Sequence, residues 1–101
     1  MYPNAIYNNN VLIGFFMYKR TESQADTAII YRFMVDDRFQ RKGLEEKALE
    51  YILRGLKIQG VRKVVLLIDG ANENTKQLCL SLGFHFTGKQ DKSGYYYEAA
   101  L

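Results

Sequence analysis

The sequence predicts an α/β fold of the α+β kind, in which a mixed, largely antiparallel sheet carries two packed helices. Three observations lead there. Residues 27–35 and 63–69 read as strands, and the helical segment 44–58 between them is long enough for a parallel crossover. Residues 5–19 read as a hairpin around Asn8, Asn9 and Asn10. After residue 69 the chain reads as one short helix and two closing strands.

Each element has its own signal. Residues 5–7 form a short strand and 11–19 a second one, because asparagine tolerates the positive φ of a tight hairpin turn. Gly14, inside the second strand, predicts a bulge or a close backbone approach. Residues 21–26 are polar and read as a loop. Residues 27–35 are rich in β-branched and aromatic types, as a strand requires. The charged stretch 36–42 breaks that strand and reads as a loop. In 44–58, Leu44, Ala48, Leu49, Ile52, Leu53 and Leu56 share one helical face, and Gly60 is a plausible stop. The unbroken apolar run 64–68 suits a strand buried on both faces. Residues 70–72 form a turn and 74–82 a short helix that ends at Gly83. Strands at 84–87 and 95–99 close the chain, joined by the polar segment 88–94. Alternation in the last strand puts Tyr96 on the face opposite Tyr95 and Tyr97.

Composition narrows the function classes. A chain of 101 residues fits one domain, residues 1–101, with a modest core. Eight Tyr and six Phe leave no case for disorder. The net charge of +3 permits an anionic partner. Basic residues are scattered except for Arg38, Arg41 and Lys42, which favours a local anion site over a nucleic-acid surface. The single Cys79 allows no internal disulfide and fits a reducing compartment. No apolar run reaches membrane-spanning length and no signal-peptide layout is present, so a cytoplasmic location is expected. No His/Cys/Asp/Glu cluster has metal-ligand spacing, so no metal is expected.

Chemistry concentrates between residues 33 and 45. A strand ends at Phe33, Met34 and Val35, a basic loop with Gln40, Arg41 and Lys42 follows, and a helix opens after Gly43 with Leu44 and Glu45. A helix N-terminus presents unpaired N–H groups and the positive end of the macrodipole, so it binds phosphate well. Gly43 lets the backbone approach closely, while Arg38, Arg41 and Lys42 add charge. The physics gives an anion site of pyrophosphate size.

This segment resembles motif A of the GNAT superfamily of N-acetyltransferases, Gln/Arg-x-x-Gly-x-Gly/Ala between a strand and a helix. Gln40 and Gly43 match its first two marked positions. The stretch Ile30-Tyr31-Arg32-Phe33-Met34-Val35-Asp36 is similar to the spermine/spermidine acetyltransferase branch. Asn72, Leu78, Leu82, Gly83 and Phe84 resemble the family's later Asn-x-x-Ala-x-x-Leu-Tyr-x-x-Leu-Gly-Phe pattern. The resemblance implies acetyl-CoA as cosubstrate and direct transfer to a small primary amine. It implies that the backbone of Phe33 to Val35 aligns the pantetheine arm. It further implies that Gln40, Arg41, Lys42, Gly43, Leu44 and Glu45 surround the pyrophosphate, and that Asn72 contacts the cofactor.

Three departures stand against that pattern. Glu45 occupies the place of the second Gly or Ala. It is a favourable first-turn acid on the helix dipole, and it also repels an anion bound there, so Glu45→Gly is expected to raise CoA affinity. Cys79 stands at the family's Tyr, the proton donor to the departing thiolate; the simpler reading is a small buried hydrophobe. Complete members carry a strand and two helices ahead of the hairpin that opens this sequence. The leading expectation is therefore an N-acetyltransferase. The alternative is a non-catalytic remnant acting as a binding or assembly module, with homodimerisation to bury exposed apolar surface. A nucleic-acid-binding domain rests only on basicity and tyrosines and ranks below both. Asp26, Asp36 and Asp37 read as solvated loop acids, Tyr31 as packing and His85 as structural or exposed.

Overall fold

The computed structural model describes residues 3–21, 23, 25–40 and 43–101, apart from the side chain of Gln40. The elements in chain order are β1 (Pro3–Asn8), β2 (Val11–Arg20), β3 (Thr27–Val35), α1 (Asp37–Gln40), α2 (Leu44–Ile58), β4 (Lys63–Ile68), α3 (Glu73–Ser81), β5 (His85–Asp91) and β6 (Gly94–Ala100). The six strands form one sheet in the order β1-β2-β3-β4-β6-β5. Among the described residues only β3 and β4 run parallel, joined by the crossover through α2.

The hairpin between β1 and β2 closes on Asn9 (φ 50°) and Asn10 (φ 67°), both in the left-handed region that a two-residue turn needs. The helices α2 and α3 stop in the same way. After α2, the Gly60 N–H donates to Lys57 O and the Val61 N–H to Leu56 O, both at 3.0 Å. After α3, Gly83 donates to Leu80 O and Phe84 to Cys79 O. Each is a Schellman stop, and each drops the next apolar residue, Val61 or Phe84, into the core.

The core lies between the helices and one face of the sheet. Directly paired residues share a face, so the row Tyr18–Ile30–Leu66–Tyr97 is one side of the sheet. It packs with Ala48, Leu49, Ile52 and Leu56 of α2 and Cys79 of α3. The opposite row, Lys19–Ile29–Val65–Glu98, stays half-buried or exposed. This corrects the expectation that β4 is buried on both faces. Val64, Leu66 and Ile68 are buried, whereas Val65 and Leu67 are only half-covered.

Two further expectations are corrected. The charged stretch after β3 is not all loop, because Asp36 nucleates the short α1. Its carboxylate accepts from the Arg38 N–H at 3.0 Å and its carbonyl from the Phe39 N–H at 2.8 Å. The polar segment after residue 87 is not a connection either. β5 continues through it to Asp91, and Gln90 and Asp91 pair with Tyr95 and Gly94. Among the described residues no helix is long and apolar enough to cross a membrane.

Candidate functional site

Strands β3 and β4 stay paired only from Thr27–Lys63 to Ile30–Leu66. The cause of their parting lies on the other side of β3. There Arg32 faces Met17 and Ile30 faces Tyr18, leaving Tyr31 as an extra residue opposite neither. Such a bulge bends its strand and ends regular pairing. Among the described residues no ladder pair joins β3 to β4 beyond it. The divergence opens a cleft of about 650 Å³. One side is Arg32, Phe33 and Met34, the other is Leu67, Ile68 and Asp69, and Asn72, Thr75 and Ser93 also border it. Phe33 and Val35 turn their side chains into the core, so Phe33 offers the cleft its backbone. Val35 borders a different cavity, with Gly14 and Asp36.

The N-terminus of α2 lies beside a second cavity. Gly43 precedes the helix at φ 72° and, as the N-cap residue, has no side chain with which to cap it. A Cβ on Gly43 would meet nothing within 4 Å among the described residues, so none of them blocks the approach to the helix end on that side. This cavity is bordered by Asp37, Arg38, Gly43, Glu45 and Glu46, and across from them by Asn74, Gln77 and Leu78 of α3. The expected charge from Arg38 is spent locally: its guanidinium grips Asp36 through two contacts, at 3.1 and 3.0 Å. That grip holds the Asp36 carboxyl below the usual carboxylate range and raises Arg38. Leu44 packs its side chain the other way, toward Ala48 and Ile52, in an apolar cavity beneath β1 and β2. Arg41, Lys42 and the side chain of Gln40 lie outside the described residues.

Glu45 is folded inward, 9% exposed, between α2 and α3. Its Oε1 accepts a hydrogen bond from the Thr75 hydroxyl at 3.3 Å. Burial pushes its carboxyl up, and the Thr75 hydroxyl only partly opposes this. Asn72 borders the cleft and also caps α3, its Oδ1 accepting from the Thr75 N–H at 3.1 Å. Cys79 lies one turn beyond Thr75 and is fully buried. Burial first, and then the charge of Glu45, push its thiol up to about 12. The structure thus brings Glu45, Thr75 and Cys79 together, while Phe33, Met34 and Asn72 gather at the cleft. His85 is elsewhere, on the surface beside Glu98, which also binds Lys63 at 3.0 Å. Among the described residues no group of His, Cys, Asp and Glu is placed to hold a metal.

Thr75 and Ser93 escaped the sequence reading as site residues. Thr75 carried a signal, three residues after the cap Asn72 and four before Cys79. Ser93 carried none, since only the pairing of β5 with β6 delivers it to the cleft.

The buried carboxyl has a consequence for stability. Its folded-state pKa lies above its unfolded value, so the stability tied to its neutral form is complete below the unfolded value. That stability is lost as pH rises through the folded value. In thermal melts, the Tm of the wild type relative to Glu45→Gln is expected to fall as pH rises from the ordinary Glu range near 4.5. A constant difference across that range would refute the assignment.

The fold defines an N-acetyltransferase architecture. It superposes on the PaiA N-acetyltransferase of Thermoplasma acidophilum, solved with coenzyme A, with TM-score 0.80 and 20% identity, covering 96% of this chain and 58% of that one. It superposes on the ribosomal-protein-S18-alanine N-acetyltransferase of Escherichia coli with TM-score 0.77 and 22% identity, covering 96% and 66%. At these identities the likeness is one of fold. Residues 1–84 match the model of the acetyltransferase (GNAT) family, and the chain belongs to that family. Over 98 residues it is 30% identical to the spermine/spermidine N(1)-acetyltransferase of Bacillus subtilis (strain 168), covering 91% of this chain and 64% of that protein. The chain spans just under two thirds of the curated relatives it matches.

Proposed function

We propose that this chain binds acetyl-CoA and takes part in acetyl transfer to a primary amine of polyamine type. One observation carries the reading: Thr75, which borders the cleft between β3 and β4, hydrogen-bonds Glu45 in the first turn of α2, so the cleft neighbours that helix end. The residues present fit the cosubstrate. The edge of β3 past Ile30 carries no β4 ladder and suits an amide-bearing arm, as a strand edge suits a peptide. The open approach at Gly43 suits a pyrophosphate on the helix amides.

Bound acetyl-CoA supplies an activated acetyl thioester. The chain's contribution is position: β3 fixes the arm, α2 holds the phosphates, and the amine enters where Arg32, Leu67 and Ser93 border the cleft. The fully buried Cys79 thiol is poorly placed to serve as a proton donor there. The resemblance to the polyamine branch supports the amine class, as does the name of the Bacillus subtilis relative.

Glu45 and Cys79 favour a second reading, a member that keeps the fold as a binding module without transfer. Calorimetric titration with acetyl-CoA separates the two. Stoichiometric heat is expected, and silence at millimolar ligand would sink the donor-site reading.

A further inference from the structure

The two cavities meet at one hydrogen bond. Thr75 borders the cleft and Glu45 borders the helix-end cavity. The Thr75 hydroxyl donates to Glu45 Oε1 at 3.3 Å, and both residues are buried. A ligand occupying both cavities lies against this pair. The Glu45 carboxyl is therefore part of the wall of the groove, at the step from the cleft to the helix end.

We propose that Glu45 makes donor binding proton-coupled: an anionic ligand lying across both cavities is held best when Glu45 is neutral, with Thr75 fixing that carboxyl at the junction. The inference rests on the reading of the groove as the acetyl-CoA site. Two negative groups brought close in a half-dry site repel strongly, and a carboxyl can escape by taking a proton. Burial already moves Glu45 in that direction before any ligand arrives.

The described neighbours do not supply a compensating cation. From α1, Asp37 and Arg38 border the same cavity, but Arg38 is gripped by Asp36. On α2 the neighbour is the acidic Glu46. On α3 it is Cys79, whose thiol Glu45 pushes up. The cleft itself is bordered by Arg32 and Asp69, and neither contributes to the shift of Glu45.

The test is calorimetry of acetyl-CoA binding to the wild type, Glu45→Gln and Glu45→Ala. Each is titrated from acid to neutral pH, in buffers of different ionisation enthalpy. Protons taken up by the ligand's own phosphate appear in all three proteins and cancel in the comparison. The wild type is expected to take up as much as about one proton more than either variant, and its affinity to fall by up to about tenfold per pH unit through that window. Glu45→Gln, which keeps a hydrogen-bond acceptor for Thr75, is expected to match the wild type in acid and to bind more tightly at neutral pH. Glu45→Ala carries the same comparison if the amide variant misfolds. Equal proton numbers and parallel pH dependence would overturn the inference alone. No heat from any of the three would overturn the donor-site reading and this inference with it.

Discussion

Gly14→Ala is expected to lower stability by about 4 kcal/mol, at the far end of what single substitutions do. An added Cβ at residue 14 would collide with the carbonyl oxygen of Met34. It would also lie 2.9 Å from the Cα of Val35 and 3.0 Å from the carbonyl carbon of Met34. All three obstacles are backbone, so no rotamer change relieves them. Relief comes only by parting β2 from β3, where Gly14 pairs with Val35 and Phe15 with Met34. Small domains hold only about 5–15 kcal/mol in total, so the variant keeps a reduced margin. Urea unfolding followed by circular dichroism measures the loss as a lower midpoint. An unchanged midpoint would mean that the strands separate more easily than this packing implies. The damage reaches the cleft, which Met34 borders.

Leu49→Ala is expected to cost about 2–5 kcal/mol. Leu49 has no exposed surface and sits mid-helix in the core cluster, so the cavity left behind cannot fill with solvent. The same helix carries Glu45 at its start, and Gly43 precedes it. Loosening the seat of α2 is therefore expected to weaken the proposed acetyl-CoA binding more than it changes the sheet. Hydrogen exchange is expected to show protection lost first along α2. Loss confined to the sheet would refute this division.

How much of this was legible depends on how local each cause is. Strand β3 and helix α2 have the boundaries the sequence predicted, because a β-branched run and an amphipathic fifteen-residue stretch state themselves within a few residues. The end of β5 did not, since all seven of its residues are exposed and an edge strand with two wet faces shows no alternation. The tyrosines of β6 did alternate: Tyr95 and Tyr97 both touch Phe86, while Tyr96 bonds Asp91. The resemblance to the family's two motifs pointed to Gly43 and Asn72. The Glu45–Thr75 contact spans thirty positions and two helices, and no local pattern encodes it. Likewise, the half-covered state of Val65 and Leu67 depends on which elements pack against each face, which an apolar run does not specify.

The extra residue in β3 has a consequence for how the cleft is written into the chain. Ala28 and Ile30 point into the core, and so do Phe33 and Val35, although the two pairs belong to opposite phases of a simple alternation. The opening is thus encoded by a count, the three-residue step from Ile30 to Phe33, rather than by any one side chain. A substitution leaves that count intact, so the shape tolerates ordinary mutational drift. Losing a single codon between those positions would place Phe33 two residues after Ile30, so that one unbroken alternation would carry both inward with no bulge, and the cleft would be lost in one step.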